Sequence, residues 1–207
     1  IDNDFTNITG LATLQNEGAD GTLTVTLGAK AAAAGLSTIS LLADPDSVAV
    51  DSITIGSDFT NDLSITAGDT TGNDSIVATG YTKNLTLSMD SDALDGNDTI
   101  TGGSGTDTLR LISAQGTAVA EGDFAGVTGF ETIDIYADEA MSIALDDETV
   151  ASGQTVNITN TLQLTEALTL DASSVSTSGG NVNITLTGTS GNAGNHLITL
   201  GNGDDTI

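Results

Sequence analysis

Two aspartates nine residues apart, Asp98 and Asp107, stand in the glycine-rich stretch LDGNDTITGGSGTDTLRL (Leu94–Leu111). Those residue types at that spacing suit a hard divalent cation. Ca²⁺ takes six to eight oxygen ligands, from carboxylates and from backbone carbonyls turned toward one point. The glycines Gly102, Gly103 and Gly105 are expected to enter positive-φ conformations that aim carbonyls at the ion. Asp98 and Asp107 would add charge, and Ile100 and Leu109, each two residues past its aspartate, would point inward as a strand begins.

Other phrases supply candidate partners. GNDSIVATG (Gly72–Gly80) places Asp74 before Ile76, and GNGDDTI (Gly201–Ile207) places Gly203 and Asp205 before Ile207. Asp74 and Asp98 are 24 residues apart, a spacing that fits one coil of a stacked repeat, so an ion could be shared between them. Asp95 and Gly96 open the partial copy DGNDTIT and close the acidic group Asp90, Asp92 and Asp95, the second choice for metal. The competing reading of GND and GNG is an ordinary tight turn between strands. Further carboxylates cluster at Asp44, Asp46 and Asp51, at Asp134, Asp138 and Glu139, and at Asp146, Asp147 and Glu148, where solvated loops are the default reading.

The elements that must position these residues are short strands. Alternation of apolar and polar residues runs through Thr22–Leu27, Thr38–Leu41, Ser47–Ile55, Leu63–Ile65 and Asn84–Met89. It resumes in Glu131–Tyr136, Met141–Leu145, Thr155–Thr159, Ala167–Leu170, Asn181–Leu186 and His196–Leu200. Residues at i, i+2 and i+4 then share one face. AKAAAAG (Ala29–Gly35) predicts a helix of about two turns closed by glycine, and Pro45 in DPD reads as a turn. FTNITGLATL (Phe5–Leu14) repeats as FAGVTGFETI (Phe124–Ile133), and DTI recurs at Asp98–Ile100 and Asp205–Ile207. These markers divide the chain into two tandem strand-repeat units, 1–112 and 113–207, each closing on a glycine-rich turn. The expected fold is all-β, a parallel β-solenoid of the β-helix or β-roll kind, since short strands and a thin Ile, Val and Leu core suit stacked coils. Tandem β-sandwich domains are the alternative.

At GGSGTDTLR (Gly102–Arg110) the chain resembles the RTX family, repeat proteins secreted by Gram-negative bacteria whose stacked nonapeptides form a calcium-filled β-roll. More loosely, its Thr-, Ser- and Asn-rich strands resemble the β-strand-repeat surface proteins of those bacteria, S-layer proteins and large RTX adhesins. The resemblance implies Ca²⁺ shared between turns, with Asp74, Asp95, Gly96, Asp98, Gly102, Gly103, Gly105, Asp107, Gly203 and Asp205 as the metal-site residues. It also implies secretion to the cell surface, assembly with copies of the same chain, and a cell-surface polysaccharide as a further partner. Against the family pattern, the full nonapeptide occurs once rather than in a run.

Composition narrows the function classes. Twenty-nine acidic residues against three basic ones give a net charge of −26, which argues against nucleic acid or an anionic membrane as partner. Such self-repulsion favours a fold whose carboxylates are neutralised by bound cations. Without cysteine there is neither disulfide nor thiolate metal site. His196 is the lone histidine, which leaves no zinc cluster or histidine-based triad. Paired carboxylates could serve glycoside hydrolysis, but four Phe, two Tyr and no Trp are poor material for sugar subsites, so no enzyme is expected. The Asn-x-Ser/Thr sequons are chance products of composition. No apolar run is long enough to span a membrane as a helix, and the chain is expected to be a segment of a longer polypeptide.

Overall fold

The computed structural model describes residues 2–16, 22–41, 50–67, 72–113, 118–137, 140–160, 167–176, 179–187 and 196–207. The turn expected at Pro45 and the carboxylates of Asp44, Asp46, Asp138 and Glu139 lie outside the described residues. A 3-10 helix (Asp2–Phe5) leads into β1 (Thr13–Asn16), β2 (Thr24–Leu27), helix α1 (Ala29–Ala34), β3 (Thr38–Leu41), β4 (Ser52–Ile55), β5 (Leu63–Ala67) and β6 (Ser75–Val77). There follow β7 (Leu85–Asp90), β8 (Thr99–Thr101), β9 (Thr108–Ser113), β10 (Ala118–Val119), a second 3-10 helix (Glu121–Phe124), β11 (Val127–Thr128) and β12 (Thr132–Ala137). The last strands are β13 (Met141–Ala144), β14 (Thr155–Asn160), β15 (Leu168–Asp171), β16 (Asn181–Thr185) and β17 (Leu197–Thr199).

Every described strand pairing is parallel, which rules out the antiparallel sandwich and makes the molecule a β-solenoid. One sheet runs the length of the chain in the order β1-β3-β5-β7-β9-β12-β14-β16. Its partner changes along the way. A five-stranded sheet, β2-β4-β6-β8-β11, serves the first half, and a four-stranded sheet, β10-β13-β15-β17, serves the second. The exchange happens within one coil, which carries both β10 and β11. It falls just past residue 112, so the expected two units differ in their second sheet while sharing the first.

Alternation in the sequence becomes stacking in space. On the long sheet the inward residues form a single register row, Leu14, Ile39, Ile65, Leu87, Leu109, Ile133, Ile158 and Ile184. The five-stranded sheet faces it with Val25, Ile53, Ile76, Ile100 and Val127. The outward row of the long sheet is Thr13, Thr38, Ser64, Thr86, Thr108, Thr132, Asn157 and Asn183, polar throughout. Where an inward position is polar its hydrogen bonds close internally: buried Asn160 exchanges bonds with the backbone of Thr187 in the next coil.

The helix forms where expected, with Gly35 at φ 99° as its left-handed cap. Asp2 holds its other end by accepting from the amides of Gly28 and Ala31. The repeated phrases are also structural repeats. Phe5 and Phe124 each close a 3-10 helix, and Gly10 and Gly129 follow five residues later at φ 74° and 75°. β1 and β12 then begin three residues beyond each glycine.

Candidate metal centre

Corners of the solenoid carry the carboxylates, and a recurring phrase puts them there: an acidic residue, Ser or Thr, then Ile or Leu. It occurs as Asp51-Ser52-Ile53, Asp74-Ser75-Ile76, Asp98-Thr99-Ile100, Asp107-Thr108-Leu109, Glu131-Thr132-Ile133 and Asp205-Thr206-Ile207. In the first five the apolar residue enters the core, whereas Ile207 is exposed, and the acid two residues earlier stands at the strand's entrance on the same side.

Before the five-stranded sheet the acids make a ladder. Leu23 N donates to Asp51 Oδ1 (2.6 Å), Asp51 N to Asp74 Oδ1 (2.9 Å) and Asp74 N to Asp98 Oδ1 (2.8 Å), while Asp95 N donates to Asp98 Oδ2 (2.9 Å). Each carboxylate thus satisfies an amide of the coil before it. Asp51, Asp74 and Asp98 are 2–3% exposed, and burial pushes Asp51 upward and Asp98 up to about 6. Asp74 and Asp98 do meet across one coil, as the 24-residue spacing predicts, but through an amide.

Asp107 lies at a different corner. β8 belongs to the five-stranded sheet and β9 to the long one, so Asp98 and Asp107, read from sequence as ligands of one turn, enter two different sheets. Asp107 Oδ1 accepts from Leu85 N (2.7 Å) of the coil before, and Asp107 N donates to Glu131 Oε2 (2.8 Å) of the coil after. Asp107 is fully buried and its Oδ2, alone among the described buried side-chain atoms, makes no hydrogen bond of good geometry, with only the Gly103 amide beside the carboxyl. Burial, and then the charge of Glu131, push this carboxyl above the usual range.

Asp205 shares the corner type of Asp107, because Thr206 bridges Asn183 of the long sheet and Asp205 Oδ1 accepts from Val182 N (2.8 Å). The structural match of GNGDDTI is therefore GSGTDTL (Gly103–Leu109), rather than the DTI of Asp98. Asp95 spends Oδ1 on the amide of Asn97 within its own turn.

The glycines have another reason than the one expected. None of Gly96, Gly102, Gly103, Gly105 and Gly203 has positive φ; in the described residues that conformation falls to Gly10, Gly35, Gly80, Gly129 and Gly153. They are glycine because carbonyls of other coils press on their Cα atoms. A methyl at Gly96 would stand 2.3 Å from Gly122 O, one at Gly102 1.9 Å from Gly129 O, and one at Gly105 2.2 Å from Lys83 O. At Gly103 the nearest oxygens are Tyr81 O at 2.5 Å and Ala78 O at 3.2 Å, and at Gly203 Gly180 O at 2.7 Å.

No group of three or more His, Cys, Asp or Glu side chains able to hold a metal exists among the described residues. A metal here would rest on one or two carboxylates and on carbonyls. The corner nearest to this is Gly102–Asp107, where a carboxylate oxygen outside any hydrogen bond of good geometry and the carbonyls of Gly129, Tyr81 and Ala78 border two adjacent glycines, the last two carbonyls already accepting from Ser104 N and Tyr81 N.

Two other groups are structural. Arg110 Nε pairs with Asp134 Oδ2 (2.8 Å) across β9 and β12, with its guanidinium 5.2 Å from the Tyr136 ring centre. His196 Nδ1 accepts from Leu168 N (3.1 Å). Asp51 and Asp134, read from sequence as solvated loop carboxylates, are instead buried, and Glu131 has no role in that reading; the acid-Ser/Thr-Ile/Leu phrase is the signal that finds Asp51 and Glu131.

The fold defines the class of the protein, a parallel β-solenoid with buried acidic corners. Comparison with known proteins returns no match: no family model fits the chain, and no curated protein or solved structure is detectably similar to it.

Proposed function

We propose that the chain is a structural segment of a secreted bacterial surface protein, an S-layer or extracellular filament, stiffened by calcium and assembled from copies of itself. The observation that carries this reading is Asp107, fully buried in a glycine corner with one oxygen outside any hydrogen bond of good geometry, in a chain of net charge −26. A buried carboxylate oxygen served only by a poorly aligned amide is destabilising, and a hard cation is a ligand whose chemistry matches it. Asp107, with the carbonyls around Gly102 and Gly103, would hold the ion. Bound there, it would supply positive charge that neutralises the corner and couples the coils. The carboxylates of the Asp51–Asp74–Asp98 ladder already accept backbone amides.

Nothing in this reading calls for catalysis. The acid pairs are engaged with backbone amides, and the one histidine serves as a hydrogen-bond acceptor for the chain itself. A second reading, the stalk of an adhesin, draws on the long sheet, whose eight described strands run without interruption as they would in a rod.

Calcium dependence tests both. At calcium about 100-fold above its Kd, Tm is expected to rise by about 5–10 °C over the chelated protein. Electron microscopy with and without EGTA then distinguishes a lattice or filament from single rods. Melting and assembly that ignore calcium would overturn the proposal.

A further inference from the structure

We infer that copies of this chain join end to end, the last coil of one stacking on the first coil of the next in the register of a seam the chain already contains. This rests on the self-assembly reading above and adds to it the surfaces that meet.

The internal seam lies where the coil of β8 and β9 meets the coil of β11 and β12. Ile100 pairs with Val127 and Thr101 with Thr128 on one side, and Thr108 with Thr132 and Leu109 with Ile133 on the other. Ile100 N and Gly102 N donate to Gly126 O and Thr128 O, both at 2.9 Å. The apolar residues Ile100, Val127, Leu109 and Ile133 are 0–3% exposed there.

Each end of the described solenoid copies one half of that seam. Residues 196–207 repeat 98–109 bond for bond: Ala172 N and Asn202 N donate to Thr199 O and Val175 O, as Ala78 N and Ser104 N do to Thr101 O and Tyr81 O. Asp204 N donates to Asn181 Oδ1 and Val182 N to Asp205 Oδ1, as Thr106 N does to Asn84 Oδ1 and Leu85 N to Asp107 Oδ1. The other half, Phe124–Ile133, recurs as Phe5–Leu14 with the same 3-10 turn and left-handed glycine. At the two ends the matching residues lie open. Ile8 is 41% and Ile207 72% exposed, and Leu14 and Ile198 are half-buried. Nothing lies within 4 Å of a methyl built on Gly10, where one built on Gly129 meets Gly102 and Gly103. Ile184, Leu186, His196, Ile198 and Ile207 line an apolar cleft of about 370 Å³ at the C-terminal end.

The same register pairs Ile198 of one copy with Ile8 of the next, Thr199 with Thr9, Thr206 with Thr13 and Ile207 with Leu14. Such a head-to-tail contact does not close on itself, so it propagates as a filament one solenoid wide. Two positions loosen it. Leu200 and Asn7 stand where the internal seam has Gly102 and Gly126, whose methyls would lie 1.9 and 1.8 Å from Gly129 O and Asp98 O. The joint between copies is therefore weaker than the internal one, and repulsion between chains of net charge −26 makes it salt-dependent.

Sedimentation of the full chain in CaCl2 at rising protein and NaCl concentration, with electron microscopy, tests the joint. End-to-end rods are expected. Ile8→Asp, at a residue already exposed in the single chain, should weaken association roughly tenfold or more with melting unchanged, and Leu200→Gly should strengthen it. Register is tested by oxidation. The chain has no cysteine, so Thr9→Cys and Thr199→Cys chains mixed together should cross-link to each other, and neither alone to itself. That measurement also decides if a variant at Ile8 or Leu200 fails to fold. If assemblies form but Ile8→Asp assembles as the native chain does, or the mixed cysteine variants do not cross-link, self-assembly stands and this seam falls. If the native chain stays monomeric at every concentration of protein and salt, both fall.

Discussion

Asp98 shows what a buried acid does in this chain. Both of its oxygens accept backbone amides, from Asp74 and Asp95, so Asp98→Ala leaves one buried and one half-buried donor unpaired and is expected to cost about 1–3 kcal/mol in chemical denaturation. Asp98→Asn should cost less, because its amide oxygen still accepts one of them. The charged form is the one that burial disfavours: its folded value is about 6 against an ordinary 3.8. Stability without calcium should therefore increase as pH falls from about 7 toward 4, by up to about 3 kcal/mol from this group. Asp51 and Asp107 shift in the same direction. Tm in chelator is expected to be higher at pH 5 than at pH 7.5, and a Tm that only declines over that range would refute the assignment. Sequence made these aspartates visible as candidates. It could not show what their Oδ1 atoms bind, because the donor to each Oδ1 belongs to a coil more than 20 residues away.

Among the elements, the strands were the most legible. Period-two alternation marks β3, β5, β7, β12 and β16 within a residue or two of their bounds, since inward Ile and Leu alternate with outward Thr, Ser and Asn there. β10 and β11 are two residues each, too short for any period, and they exist only because Ser142 and Thr101 lie beside them. Coil spacing was legible in part: 22 residues separate Thr86 from its partner Thr108 and 26 separate Thr38 from Ser64, a variation absorbed in the corners. Glycines govern how closely coils approach. A methyl at Gly126 would stand 1.8 Å from Asp98 O, so Gly126→Ala should cost about 1–3 kcal/mol or more and disturb β8 and β11 first. In the core row, Ile65→Ala should cost about 2–5 kcal/mol, as measured by urea unfolding.

For the whole molecule, contacts run almost entirely between successive coils, so stability should behave as a sum of coil and nearest-neighbour terms. Amide exchange is expected to be slowest in β7, β9 and β12, which have paired strands on both sides and the widest ladders. It should be faster in β1 and β17, each with a single described neighbour. Uniform protection from end to end would contradict nearest-neighbour behaviour.

Every described strand of the long sheet lies beside its successor in parallel, about 4.8 Å away, with one coil of chain between them. Tension applied at the two termini would then load the hydrogen bonds one row at a time, opening the molecule like a zipper instead of shearing it. Each coil of 24 residues that detaches would free roughly 80 Å of extended chain.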